Sequence, residues 1–247
     1  MIVNYPTYNE SCTIELSLFS DSSSEFQLLV EDADDDNIVF TNRSGKLSGN
    51  KKYYVRLPIA PENALIEVTS KNDEVEIDDI KILDLPTNMD SKYFNNPEVK
   101  SFVNFAEEFS YNASTLTANN TKYTSDDNIF SILYLDAIVV DGKVDPTPAR
   151  ISQVTGLIEV SKKDFLEYTI PMRMAILLHE FSHYYLNDIM EDEIEADRHS
   201  LSIYMALGYP RIDAYNVYLD VFTNAPTDLN KERYQALNKL FNQEYIK

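Results

Sequence analysis

Apolar and polar residues alternate with a period of two along the first part of the chain and recur with a helical period through much of the rest. Thr13-Ile14-Glu15-Leu16-Ser17-Leu18-Phe19, Tyr54-Val55-Arg56-Leu57, Ala64-Leu65-Ile66-Glu67-Val68 and Val75-Glu76-Ile77 put every second side chain on one face, the signature of half-buried strands. Phe26–Val30, Ile38–Phe40 and Ile80–Leu85 add further short β-type runs. Clusters of Asp, Ser, Asn and Gly separate these runs, so residues 1–88 read as an all-β sandwich. Leu85-Pro86-Thr87-Asn88-Met89-Asp90 reads as a linker.

The pattern beyond it is mixed. Glu98 to Tyr111 carries Val99, Phe102, Val103, Phe105, Ala106 and Phe109 at helical spacing, and 112–127 is polar and reads as loop. Ile129–Leu135 and Ala137–Val140 are strand-like, with Asp141-Gly142 as a turn. One or two strands follow over Arg150–Val154 and Gly156–Val160. Pro171 to Leu186 reads as a buried helix, and Leu207-Gly208-Tyr209-Pro210 stops the next one. Ile212–Phe222 and Lys231–Tyr245 predict two closing amphipathic helices. The expectation is therefore two domains, the sandwich at 1–88 and an α+β domain at 89–247.

The buried helix carries the candidate chemistry, His179-Glu180-Phe181-Ser182-His183. Residues four apart lie one turn above each other on a helix, so both imidazoles can aim at one point. They supply two of the three protein ligands that a catalytic zinc needs, and Glu180 stands beside them as a general base for water. The chain has three histidines in all, and His199 is the third. Glu193 and Asp197, again four apart, share a face of the next helical segment, with Glu195 on the far side. They suit a third ligand and a carboxylate that fixes a histidine tautomer. His199 is the rival third ligand, although on a helix it stands about 200° from Asp197. Asp192 and Glu195 read as solvated charges at a helix start. Tyr184, Tyr185, Tyr204, Tyr209 and His199 are all candidates to steady an oxyanion.

Those two motifs, H-E-x-x-H and then Glu193-Ile194-Glu195-Ala196-Asp197, resemble the gluzincin metallopeptidases. The resemblance implies His179, His183 and Glu193 as zinc ligands, Glu180 as base, Asp197 behind a histidine, and a zincin-like fold for 89–247. In that fold an edge strand above the metal pairs with extended substrate, and Gln153 to Ile158 is the candidate. The connector from His183 to Glu193 is shorter than many gluzincins use. Tyr53–Pro58, Ile66–Thr69 and Ile80–Leu85 loosely resemble jelly-roll or carbohydrate-binding sandwiches (Ig-like in general form). Glu195-Ala196-Asp197 through Ile203-Tyr204 to Gly208-Tyr209-Pro210-Arg211 is similar to tailed-phage virion proteins that carry such domains. That likeness implies a structural role in a virion, with protein partners in a larger assembly.

Composition narrows the field. The formal charge of −20 disfavours nucleic acid and anionic membranes, whose binding needs Lys and Arg. It suits a basic partner, as for a non-catalytic acidic binding module, or simply keeps the protein soluble, which is the simpler reading; a protein or peptide substrate is what the metallopeptidase resemblance implies. A single cysteine, Cys12, excludes an intrachain disulfide and a cysteine zinc cluster. Met1 to Pro6 has neither a basic segment nor a long apolar run, so a chain made in the cytoplasm without a signal peptide is expected. No run is long enough for membrane insertion. Asp32-Ala33-Asp34-Asp35-Asp36-Asn37 imitates the start of a calcium loop, but lacks the turn glycine and the closing glutamate. It reads as a solvated acidic turn. Tyr53 and Tyr54 read as strand filling more readily than as a sugar platform.

Overall fold

The computed structural model describes residues 1–71, 74–83, 93–224 and 227–243. The chain is of mixed α and β structure, with a large antiparallel sheet in its first part and six helices among the described residues. The linker expected at Leu85–Asp90, and with it the 88/89 boundary, lies outside the described residues.

Five strands build the first sheet: β1 (Ile2–Pro6), β2 (Cys12–Asp32), β3 (Val39–Leu57), β4 (Asn63–Ser70) and β5 (Glu76–Leu83). The runs at Thr13–Phe19 and Phe26–Val30, expected as separate strands, are the two halves of β2, and those at Ile38–Phe40 and Tyr54–Leu57 lie in or beside β3. Ser20 to Ser24 looks like a turn in sequence, yet the chain passes it as an irregularity in the β2–β3 register. Such a bulge bends a strand without ending it. β3 follows the whole of β2 on one side. On the other, β5 pairs with its first half and β4 with its second. Ile14, Leu16, Leu18, Leu28 and Val30 of β2 are fully buried in the resulting core. At the β2–β3 turn, Asp32 accepts the Asp34 N–H and the Tyr111 hydroxyl, and Asp35 accepts the Asn37 N–H. The acidic run is thus tied up as a turn.

α1 (Pro97–Asn112) starts on an Asn96 cap that accepts the Glu98 N–H. It packs against a second sheet of order β10-β11-β7-β6, formed by β6 (Thr121–Thr124), β7 (Ser131–Leu135), β10 (Ala149–Ile151) and β11 (Ile158–Ser161). β6 falls inside the stretch expected to be loop. β8 (Val139–Val140) and β9 (Lys143–Val144) form a hairpin across Asp141-Gly142, both at positive φ. A one-turn helix, α2 (Lys162–Phe165), precedes α3 (Ile170–Tyr185), α4 (Glu193–Ala206), α5 (Arg211–Asn224) and α6 (Asp228–Gln243). A second apolar core gathers α1, α3, α4, α5 and this sheet, with Phe102 stacked on Phe181 and Phe181 on Tyr185.

α3 belongs to both cores. Ile170 at its start is buried with the first sheet, and Met174 to Leu178 and Phe181 with the second group. Arg173, one turn in, is 1% exposed and donates to the carbonyls of Phe165, Ser110, Leu166 and Asn37. Arg43 and Asp213 pair at 2.7 Å between β3 and α5. No helix among the described residues is long and apolar enough to cross a membrane.

Candidate metal centre

α3 is apolar almost all round, and its last two turns turn the two histidines towards α4. After Tyr185 the chain leaves the helix, and Asp192 caps α4 by accepting the Glu195 N–H. The tight connector thus delivers Glu193 at the first position of α4, facing α3. His179 Nε2, His183 Nε2 and a Glu193 carboxylate oxygen converge within 4.8 Å of one another. Their separations are 3.0 Å between the two nitrogens, and 3.3 and 3.6 Å from Glu193 Oε2 to His179 and His183. Ligands held at roughly 2.0–2.1 Å around a tetrahedral zinc stand about 3.3–3.4 Å apart, so the three atoms already have the spacing of one coordination shell.

The donor chemistry fits as well. His183 Nδ1 lies 2.6 Å from the Met190 carbonyl, and His179 Nδ1 lies 2.9 Å from Asp197 Oδ1. The latter separation suits a hydrogen bond, but no hydrogen bond forms at that buried nitrogen, so the contact is one of charge with poor alignment. The Met190 carbonyl through its hydrogen bond, and the Asp197 carboxylate through its charge, favour the proton on Nδ1 of the two rings, which leaves two lone pairs and a carboxylate oxygen facing each other. Such a cluster calls for a cation. Burial opposes charge on His179, yet Asp197 and Glu193 outweigh it and raise the imidazole to about 10. Burial works against the Glu193 and Asp197 carboxylates too. The histidines hold Glu193 ionised well below its usual range, and Arg233 and His179 do the same for Asp197.

Arg233, on α6, is the residue that sequence reasoning missed. It packs over the Phe222 ring at 4.8 Å and binds the carboxylates of both Asp197 and Glu193. Tyr218 of α5 was missed as well. Its ring stands roughly edge-on to His179 with ring centres 6.2 Å apart, and its hydroxyl lies 2.7 Å from Ser200 Oγ. Neither is marked by a local pattern, since each comes from a separate helix far along the chain.

Glu180 is half-buried at the wall of a cleft of about 290 Å³, which is also lined by β10, Gln153, Ile176, Val217, Tyr218 and Arg233. Burial raises its carboxyl, and the two histidines and the Ile151 backbone N–H pull it back. The edge strand beside the cleft is β10, at Ala149–Ile151, rather than Gln153–Ile158. Ser152 to Gly156 is a turn, closed by the Gly156 N–H on the Ser152 carbonyl. Ser152 N–H and the Pro148 carbonyl bond toward β11, so by strand alternation the backbone groups of Ala149 and Ile151 face the cleft.

The other candidates sit elsewhere. His199 Nδ1 meets the Tyr93 hydroxyl at 2.7 Å and its Nε2 lies 3.7 Å from Glu195, outside the converging group. Tyr204 is fully buried, stacked on Tyr209, and donates to the Pro210 carbonyl. Tyr184 and Tyr185 pack against Gly156. Glu195 accepts the Asp188 N–H and pairs with Arg198. The acidic turn at Asp32–Asp36 does not appear among the metal-competent groups of the described residues. Compared with family models, curated proteins and solved structures, the chain gives no match.

Proposed function

We propose that this chain is a zinc-dependent metallopeptidase of gluzincin type, with a zincin-like fold over the second half and a sandwich-like sheet over the first. The observation that carries the reading is the convergence of His179, His183 and Glu193 at coordination spacing. It gains support from Glu180 and an edge strand on the same cleft. His179, His183 and Glu193 would hold the metal, and Asp197 and the Met190 carbonyl would set the imidazole tautomers. When bound, zinc supplies Lewis acidity that polarises a peptide carbonyl and acidifies water.

The protein's own groups do the rest. Glu180 accepts a proton from the attacking water, and its raised carboxyl can return that proton to the leaving amine. The backbone of Ala149 and the Ile151 carbonyl pair with an extended peptide, fixing the scissile bond over the metal ligands. Ile176, Val217 and Val221 give the cleft an apolar wall that seats an apolar side chain.

The test is metal content by mass spectrometry on protein purified without chelator, beside Glu193→Ala. One zinc per chain, lost or sharply weakened in the variant, supports the site. A Glu180→Gln protein that keeps zinc and loses peptide hydrolysis by roughly 10²–10⁴-fold supports the chemistry. Absence of metal after zinc is supplied would sink the reading.

A further inference from the structure

A groove of about 460 Å³, larger in volume than the metal cleft, runs between α1 and β6. Its floor is aromatic: Phe109 lies 6.5 Å from Phe105 and 5.9 Å from Tyr123 between ring centres. Its rim is acidic, with Glu108 on one side and Asp126 and Asp127 on the other, and no Lys or Arg lines it. Hydrogen bonds from Ser101, Ser125 and the Ile129 N–H lower the Asp127 carboxyl below its ordinary value. Among the described residues no cation pairs with Glu108 or Asp126.

β6 is the end strand of its sheet. The Ser125 N–H donates to the Phe130 carbonyl on the β7 side. Backbone direction alternates along a strand, so the N–H and C=O of Lys122 and Thr124 face away from β7. An open strand edge accepts another strand. Here the edge borders a groove floored by aromatic rings under an acidic rim, in a chain that carries a charge of −20.

We propose that this groove docks an extended basic peptide segment, added as a strand to β6. Alternate apolar side chains lie over Phe105 and Tyr123, with the buried Phe109 ring beneath them, and lysines or arginines at the ends of the segment reach Glu108, Asp126 and Asp127. The same acids repel phosphate, which turns nucleic acid and anionic lipid away. The site is separate from the metal cleft and does not depend on it. On a hydrolase it would hold a protein substrate at a second point, so that linkage raises apparent affinity without new contacts at the cleft.

The probe is the blocked peptide Lys-Val-Lys-Phe-Lys-Val, with Glu-Val-Glu-Phe-Glu-Val as control, added to Glu180→Gln protein so that the probe is not consumed. Amide exchange is followed by nuclear magnetic resonance. The expected result is slowed exchange at Lys122 and Thr124 with the basic peptide only, weakening as salt is raised. The double variant Glu108→Lys, Asp126→Lys changes exposed side chains and is expected to bind at least about tenfold more weakly, which corresponds to 1.4 kcal/mol. A peptide N-methylated at alternate residues, unable to complete the strand ladder, is expected not to bind. Protection confined to Ala149–Ile151, binding that survives charge reversal, or no protection at millimolar peptide would each overturn the proposal.

Discussion

Arg233 grips both carboxylate oxygens of Asp197, with Nε and Nη2 each 2.8 Å away, while its Nη1 stands 3.0 Å from Glu193 Oε2. One guanidinium from the last helix therefore braces a proposed ligand and the carboxylate behind another. Both partners of the Asp197 pair are buried, so the pair has little water to fall back on. Arg233→Met should destabilise the protein by about 3–5 kcal/mol, the usual cost of orphaning one member of a buried ion pair. Arg233→Lys keeps the charge but not the two-pronged geometry and should fall between. Urea unfolding of the three proteins decides it; a Met variant as stable as the parent would show that Asp197 finds another partner.

Zinc should stabilise the folded chain by mass action. At a hundredfold excess over its dissociation constant the gain is about 2.7 kcal/mol. Thermal unfolding with and without zinc should show it in the parent and not in His183→Ala. An equal shift in both would place the bound metal away from His183.

Gly156 takes φ +68°, and a methyl group there would stand 3.0 Å from the Tyr185 hydroxyl and 3.1 Å from a Tyr184 ring carbon. Gly156→Ala should cost about 1–3 kcal/mol in backbone strain, with further loss from the crowding. Because this turn joins β10 to β11, the proposed peptide hydrolysis should fall as well. A variant with the parent's melting point and activity would show that the turn relaxes freely.

Glu107 gives a pH dependence away from the metal. Burial raises its carboxyl above the ordinary value, and neither the Tyr209 hydroxyl, 3.0 Å away, nor Arg56 fully offsets that. The folded state thus holds the proton more tightly than the unfolded chain. Its stabilising contribution is full below the unfolded value of about 4.3 and is lost as pH rises through the folded one. Glu107→Gln imitates the protonated form, so its stability relative to the parent should improve from pH 4 to pH 7. Denaturant unfolding at the two pH values measures this, and a constant difference would count against it.

What the sequence discloses follows the range of the interaction. His179 with His183, and Glu193 with Asp197, are four-residue relations on single helices, and helical geometry alone puts each pair on one face. The helices of the second half announce themselves for the same reason, through spacings such as Val99, Phe102, Val103 and Ala106. Arg233 stays hidden because its partner Asp197 lies 36 residues back and nothing local distinguishes it from other arginines. β6 stays hidden because Thr121-Lys122-Tyr123-Thr124 has one large apolar side chain, and its strand character comes from pairing with β7. The long strands β2 and β3 read as shorter pieces because Ser20–Ser24 has the composition of a turn. Only a neighbouring strand makes such a stretch extended.

The double membership of α3 bears on how this chain could be cut or inherited. A helix rooted at Ile170 in one core and carrying His179 and His183 in the other works like a shared beam. If the first sheet were removed, Ile170 would meet water and Arg173 would lose the Asn37 carbonyl, two turns ahead of the histidines. The first sheet is therefore a poor candidate for a detachable accessory, and a second half grafted elsewhere would need a new wall at that spot.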